Sequence, residues 1–377
     1  VADALSLPDL KDGVSRAKYL MRMVLHDYFE ALEGGGRLSS ILARDLDCAI
    51  GYGFAKSEHP FLARLDKQYN LKAHSNIPLW RQYQLSRAFT HQTTFLSQYE
   101  QVIYSGFYTP LAIQNHQHGQ NILYCHTPPR FVYDQKDFYL QQVALPLRPL
   151  LNAFTRYLQP RYEQAVQQMD VIIANSKNIQ QRIKYYLNQQ STVIYPPCDI
   201  QNYRWQTQAD YYLSTARLDP LKRVDKIVQA FKLLPKKKLI IASGGSELLK
   251  LQKLAQNAPN IQFTGWLSDS QLQDLIANAI ATIYLPHNED FGMSPVESMA
   301  AGKPVIGVAE GGLLETIIPH QTGLLLSSDF VVDDLIAAIQ HLDKPTALAM
   351  RETCEQTAQK FSTEHFIQQI QTLLERF

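Results

Sequence analysis

Four side chains in the second half of the sequence are of types that could handle an anionic substrate. Arg217 and Lys222, with four residues between them, follow an apolar run at 211–215. From one loop they can aim a guanidinium fork and an ammonium at a single anion, a combination that suits a diphosphate. Glu289 and Glu297, with seven residues between them, lie in the stretch ATIYLPHNEDFGMSPVESMAAGKPVIGVAEGG at 281–312. A fifth candidate, His126, ends the apolar run 122–125 and precedes Thr-Pro-Pro-Arg, where two prolines stiffen the exit of a loop. Each has a plainer reading. Arg217 and Lys222 could be solvated surface charges, and a lone histidine is more often structural than catalytic. Glu297 could close a capping box with Ser294, satisfying an orphan backbone donor.

The elements that must position these residues follow from the hydrophobic pattern. Residues 281–285 read as a buried strand, 287–293 as a polar loop and 295–301 as a helix. Ser294 is the expected N-cap, Pro295 the first helical residue and Gly302 the stop, with a second strand at 305–308. This is one βαβ unit, and its loop falls at the carboxyl end of a parallel strand, where open α/β sheets bind ligands. Strands at 211–215, 239–242 and 261–264 alternate with helices at 224–233 and around 272–279. In the first half, a strand at 20–25 leads through His26, Asp27 and Gly34-Gly35-Gly36 to a helix at about 37–46. Strands at 102–105, 122–125 and 170–176 follow, with helical patterns over 82–99 and 138–168. The glycine run can bring backbone N–H groups to a phosphate or sugar, though it is not the spaced dinucleotide fingerprint. Residues 145–157, LPLRPLLNAFTRY, mix apolar and basic residues as an interfacial helix does; a soluble helix seam is the preferred reading, because the prolines break the face. Alternation at this rhythm implies parallel sheets covered on both faces.

At 377 residues the chain can hold two domains. Lys+Arg number 36 against 35 Asp+Glu, which gives no reason to expect nucleic acid. Cys48, Cys125, Cys198 and Cys354 are far apart, which argues against structural zinc or a disulfide framework and fits a reducing cytosol. No apolar run approaches the roughly 20 residues of a membrane span, and residues 1–7 lack a signal peptide's basic n-region and apolar core. The expectation is a cytoplasmic protein, with peripheral contact at the inner face of a membrane compatible with it.

The Glu-x7-Glu spacing, Phe291-Gly292 inside it, the closing Gly311-Gly312 and the Arg-x4-Lys loop together resemble the nucleotide-sugar site of retaining GT-B glycosyltransferases of family 4. The tract Tyr124-Cys-His-Thr-Pro-Pro-Arg130 looks like that of hexosyltransferases that assemble polysaccharides. The resemblance covers nearly everything from Leu20 on and is strongest over 211–326. It implies an α/β, GT-B fold: two doubly wound Rossmann-like domains with a cleft between them. On that frame residues 1–19 are an extension, 20–200 an acceptor-binding domain, 201–357 a donor-binding domain, and 358–377 a helix crossing back to the first domain. A proline-marked hinge at Pro196-Pro197 would let the cleft close.

The resemblance also implies roles. Arg217 and Lys222 hold the diphosphate, Glu289 accepts from sugar hydroxyls, and His126 approaches the donor sugar. The backbone of Asp290, Phe291, Gly292, Met293 and Ser294 helps hold sugar and phosphates, and Glu297 accepts from the ribose. Gly265, Trp266 and Leu267 are where the base docks; Gly35 and Gly36 face the cleft. The implied activity moves a hexose from a UDP-glucose-type donor or GDP-mannose to a hydroxyl of a growing glycan or lipid-linked glycan, with retention of configuration. No metal and no tightly bound cofactor are expected. Asp45-Leu-Asp47 spells Asp-x-Asp, but at the end of a helix and without the preceding strand, and two basic side chains stand in for the cation. The turn Ala242-Ser243-Gly244-Gly245 and the extension at 1–19 depart from the family pattern. A GT-B nucleotide-sugar epimerase is disfavoured by the full Arg217/Lys222 and Glu289/Glu297 set. A non-catalytic nucleotide-sugar-binding subunit should have lost one of those charges, and an NAD-dependent dehydrogenase should carry Gly-x-Gly-x-x-Gly after a strand.

Overall fold

Short apolar runs in this chain become strands buried on both faces. The computed structural model describes residues 21–30, 33–56, 59–77 and 79–376, so the extension read at 1–19 lies outside the described residues. In the first sheet, β1 (Arg22–His26), β2 (Ala49–Tyr52), β3 (Gln68–Asn70), β4 (Gln101–Ser105), β5 (Gln120–Cys125), β6 (Val171–Ala174) and β7 (Thr192–Val193) pair in the order β3-β2-β1-β4-β5-β6-β7. In the second, β8 (Tyr212–Ser214), β9 (Leu239–Ile241), β10 (Ile261–Phe263), β11 (Thr282–Ile283), β12 (Val305–Val308) and β13 (Gly323–Leu326) pair as β10-β9-β8-β11-β12-β13. Every pairing between these strands is parallel. Met23 and Leu25 of β1 enter one apolar layer while Val24 enters the layer on the opposite face, as a period of two requires.

The helices that matter for the site are α1 (Gly34–Asp45), α2 (Trp80–His91), α3 (Lys136–Gln142), α4 (Arg148–Gln167) and α5 (Lys177–Arg182) in the first domain, and Met293–Ala300 in the second. Several boundaries differ from the expectation. The strand expected at 20–25 is Arg22–His26, and the three glycines open α1 rather than forming a loop before it. Gly36 is tight against Phe29, whose ring atoms would lie 3.3 Å from an added Cβ, so a bulkier residue would push the first turn off the sheet. The capping box at Ser294 does not form. Gly292, at φ 97, is the N-cap, and its left-handed backbone turns the chain into the helix two residues early. In α4, Leu151, Phe154, Leu158 and Tyr162 are buried, but Leu145, Leu147 and Leu150 at its start stay exposed. The seam read over 145–157 thus holds only for its second half.

The last helix, Thr363–Leu374, packs on the first sheet. Phe366, Ile370, Leu373 and Leu374 share one apolar cluster with Val24, Ile50, Ile103, Ile122 and Ile173. Burying such side chains is worth about 1.5–3 kcal/mol each, so the first domain depends on the end of the chain.

Candidate active site

In an open parallel sheet a ligand crevice forms outside the carboxyl ends of the strands, where the strand order reverses. The reversals here are between β1 and β4 and between β8 and β11. Arg217 and Lys222 follow β8, Glu289 and Glu297 follow β11, and His126 follows β5, the neighbour of β4.

Lys222 ends a short turn, Pro220–Lys222, whose N-cap Asp219 accepts from the Leu221 N–H. Its Nζ donates to Glu289 Oε2 at 2.6 Å and to the Tyr284 hydroxyl at 3.0 Å, and Tyr284 donates to the same Glu289 oxygen at 3.0 Å. The lysine and glutamate side chains are only 18% and 20% exposed. Burial opposes the charge of Lys222, but the Tyr284 and Glu289 oxygens outweigh it and raise the lysine's pKa. Burial, followed by the Glu289 charge, raises that of Tyr284. At neutral pH Lys222 is therefore an ammonium and Tyr284 a protonated phenol, both donating to Glu289.

The loop that presents Glu289 is pinned on two sides. Arg223 donates to the carbonyls of Leu285 and Pro286 at 2.8 and 2.7 Å and pairs with Glu310 at 2.8 Å. Glu310 in turn accepts from the Asn288 N–H at 2.8 Å. Opposite, Gly312 N–H donates to the Glu289 carbonyl at 2.9 Å. A Cβ on Gly311 would lie 2.1 Å from that carbonyl oxygen, and one on Gly312 2.3 Å from the Phe291 Cα, so this approach excludes any side chain. The helix Met293–Ala300 begins beside this loop with no side-chain cap, which leaves its positive end for a ligand anion. Met293 and Ser294 form its first turn, and Phe291 is buried beneath.

Other candidates lie apart from the triangle. Arg217 does not converge with Lys222: its guanidinium reaches Asp219 at 3.1 Å and, across the cleft, Glu33 at 4.0 Å, and its side chain is 59% exposed. Glu297 is half-buried and accepts a hydrogen bond from Tyr203; burial raises its pKa against the nearby Arg37 of α1. Trp266 is 71% exposed and lies on Gly244, where a Cβ would sit 2.4 Å from the indole Nε1. That glycine lets the ring lie flat, so Trp266 is a presented aromatic face rather than core packing. Gly265 turns there at φ +71, and Leu267 packs partly buried behind.

The first domain contributes a neutral network. His126 Nε2 is 2.8 Å from Ser105 Oγ, which is 2.8 Å from Ser39 Oγ. Ser39 donates to the Gly35 carbonyl at 2.9 Å, and His26 Nδ1 lies 2.7 Å from the Ser105 carbonyl and 3.0 Å from Ser39 Oγ. The contacts close when His126 donates from Nε2 to Ser105, Ser105 to Ser39, and His26 from Nδ1 to the Ser105 carbonyl with Ser39 Oγ sharing that proton at longer range, leaving His126 Nδ1 an acceptor. Burial lowers the pKa of His26 to about 4, and burial together with His26 lowers that of His126 to about 3. Gly35 faces both rings, with His26 Cε1 at 3.5 Å and His126 Nε2 at 3.7 Å from an added Cβ.

Asp290, expected with the donor, turns to the first domain: its carboxylate meets Arg182 at 2.8 Å and Arg130 at 3.6 Å. Beside it, Glu315 accepts from the N–H groups of Lys177 and Asn178 at the start of α5 and from Tyr195. These contacts clasp the two domains behind the cleft. Asp45 and Asp47 lie at the far end of α1 from Gly35, and Asp45 is paired with Arg44 at 2.5 Å. Among the described residues no cluster of His, Cys, Asp and Glu could hold a metal ion. A concavity of about 710 Å³ lies between the end of α1, residues 198–202 and the last helix. It contains no candidate residue, and Asp45, Asp199 and Glu364 in its wall already have protein partners.

Sequence reasoning missed Tyr284, Ser39, Ser105 and the role of His26. Tyr284 carried a usable signal, a polar-tipped residue near the end of the apolar run 281–285, whose strand β11 pairs with β8 ahead of Lys222. Ser39 and Ser105 carried none, since only the sheet order brings them together.

A family model described as Glycosyl transferases group 1 matches residues 199–361, which hold the whole second sheet. The GDP-Man:Man(3)GlcNAc(2)-PP-Dol alpha-1,2-mannosyltransferase of Mus musculus is 27% identical over 205 residues, 47% of this chain and 42% of that protein. The Alpha-1,3/1,6-mannosyltransferase ALG2 of Saccharomyces cerevisiae is 26% identical over 255 residues, 54% of this chain and 48% of that protein. The chain thus spans about half the length of the curated relatives it matches. Among solved structures, sucrose-phosphate synthase from Thermosynechococcus elongatus superposes with a TM-score of 0.74 at 18% identity, over 94% of this chain and 98% of that one. Anabaena Alr3699/HepE in complex with UDP-glucose gives 0.72 at 16%, over 95% and 100%. At such identities the likeness is one of fold, and the fold is GT-B: two Rossmann-like domains facing each other across a cleft.

Proposed function

We propose that this chain is a retaining glycosyltransferase that moves a hexose from a nucleoside diphosphate sugar to a hydroxyl of a growing glycan or lipid-linked glycan. The observation that carries the reading is the Lys222–Tyr284–Glu289 triangle, set at the strand-order reversal of the donor domain beside an uncapped helix start. Its ammonium is shielded from water, where a charge acts more strongly on a departing anion. Lys222 neutralises the leaving diphosphate, with the exposed Arg217 swinging in from Asp219 and Glu33. Glu289 exchanges its bond to Lys222 for the sugar hydroxyls, Glu297 takes the ribose, and Trp266 presents its face to the base. His126, neutral and with Nδ1 unprotonated, accepts a hydroxyl hydrogen bond from the sugar side. The acceptor's proton passes to the leaving phosphate, and retention follows from the family resemblance.

Residues 20–200 are assigned to the acceptor and 201–357 to the donor. The curated relatives named as mannosyltransferases favour mannose from GDP-mannose over UDP-glucose. Two cationic side chains at the diphosphate site support transfer without a metal. The lipid-linked acceptors in the relatives' names support work at the inner face of a membrane. The test is transfer from GDP-mannose and UDP-glucose, each with and without EDTA, alongside thermal shifts with GDP and UDP. A ligand that binds only the folded state raises Tm by mass action. Stabilisation by one diphosphate with EDTA-resistant transfer is expected. Donor epimerisation without an acceptor, or stabilisation by neither nucleotide, would overturn the reading.

A further inference from the structure

Two stretches of the first domain carry charge of one sign. Residues 67–99 hold Lys67, Lys72, Arg81 and Arg87 and no acid. Residues 138–162 hold Arg148, Arg156 and Arg161 and again no acid. In a chain balanced at 36 against 35, this is a local excess. The fold joins the two stretches: Trp80 meets Tyr83 with ring centroids 5.4 Å apart, and Tyr83 meets Tyr157 at 5.8 Å. Arg161 lies over the Tyr157 ring at 4.0 Å, and Arg81 has one acidic partner, Glu30, at 3.0 Å.

The same region presents apolar side chains to solvent. Leu145 is 72%, Leu150 57%, Ile77 65% and Trp80 50% exposed. Leu147, Leu150, Phe154 and Tyr157 form one stripe of α4, buried at its inner end and open at its outer end. Both openings lie at the mouth of the cleft. α2 follows β3, and α4 runs 20 residues back to the start of β6, so both helices begin at the carboxyl edge of the sheet. Tyr139, just before α4, is near enough to Arg130, Asp290 and Arg217 to feel their charges.

We propose that this face, residues 143–161 with the start of α2, docks on a bilayer containing anionic phospholipid. The leucines and Trp80 enter the headgroup boundary, and the arginines meet lipid phosphates. A nucleic acid would use the cations but leave three exposed leucines without a role. That docking turns the cleft mouth toward a lipid-linked acceptor rests on the glycosyltransferase reading; the docking itself does not.

The experiment is flotation of the full chain with vesicles of phosphatidylcholine alone or of phosphatidylcholine with phosphatidylglycerol, at low and raised salt. The wild type should float with the anionic vesicles and release as salt rises. A Leu145→Ser/Leu147→Ser/Leu150→Ser variant and an Arg156→Glu/Arg161→Glu variant should each bind about tenfold more weakly. All five positions are exposed, and circular dichroism checks their folding. Equal flotation of the leucine variant, no flotation of the wild type, or a wild-type dimer that this variant converts to monomer would overturn the proposal. Flotation is read without any donor, so docking can fail while transfer stands, and the reverse.

Discussion

The two strand-order reversals meet across one cleft and are built of different materials. In the second domain the reversal holds charge: Lys222 and Glu289 at 2.6 Å, bridged by Tyr284, on a loop fixed by Arg223, Glu310 and two glycines. In the first the Asp27 carboxylate is taken up by the N–H groups of Phe107, Tyr108 and Thr109, and the groups beside Gly35 are neutral: His26 and His126 are kept so by burial and joined through Ser39 and Ser105. The difference teaches a division of labour. On the proposed glycosyltransferase reading, a largely buried ion pair is preset to exchange one partner for an anion and the other for hydroxyls. A neutral relay can orient a hydroxyl without attracting the donor's phosphates to the wrong side.

The sharpest way to break this contrast is to remove its charge. Lys222→Met should lower turnover by roughly 10²–10³-fold, as loss of a positioned electrostatic partner does. It also leaves Glu289 partly buried with the Tyr284 hydroxyl but without its countercharge, which should cost roughly 1–3 kcal/mol in thermal unfolding. Adding Glu289→Gln should return that stability without returning turnover. Recovery of turnover would mean that the pair is structural. On the neutral side, His126→Ala should cost roughly 10–100-fold in turnover with little change in donor KM, since a positioned hydrogen bond is lost but no anion contact. A rise confined to donor KM would place His126 with the diphosphate and erase the distinction.

The neutrality itself can be titrated. Both histidines have pKa values lowered from 6.5, to about 4 and about 3, so below pH 6.5 the unfolded chain binds protons that the folded chain refuses. Their contribution is whole above pH 6.5 and is lost as pH falls toward 4. At pH 5 the loss is about 2 kcal/mol per histidine. Asp27 and Asp290, pushed up to about 6 by burial, take up protons in the folded state over the same range and oppose this loss, so the readout is a difference. His26→Gln should lose less Tm between pH 7 and pH 5 than the wild type; an equal change would show that His26 is not held neutral. The smallest effect expected is that of Trp266→Ala, which should raise donor KM about threefold to tenfold and leave kcat alone, the scale of one aromatic contact.

The same contrast explains what could be read in advance. The meeting of Lys222 with Glu289 was legible because each lies in a loop after an apolar run, whereas Arg217 and Glu297, read from the same spacing, turn to Asp219 and Tyr203 instead. The neutral site draws on β1, α1, β4 and β5, and nothing in the spacing of His26, Ser39, Ser105 and His126 announces their meeting. Partners across the cleft were equally hidden: Asp290 belongs to Arg182, more than a hundred residues earlier. Fold class was legible because strands covered on both faces are continuous apolar runs. Boundaries failed where one backbone angle decides, as at Gly292, whose left-handed turn displaced a capping box that the residue types alone would have formed.

The final helix sets an order of assembly. Phe366, Ile370 and Leu374 complete an apolar layer begun by Val24, so during synthesis the first domain emerges early but lacks one wall until Thr363–Leu374 has left the ribosome. The second domain, lying between, can finish first. A nascent chain stopped before Thr363 would therefore keep an intact second domain and expose the inner face of the first, so quality control would meet the damage far along the sequence from the lesion.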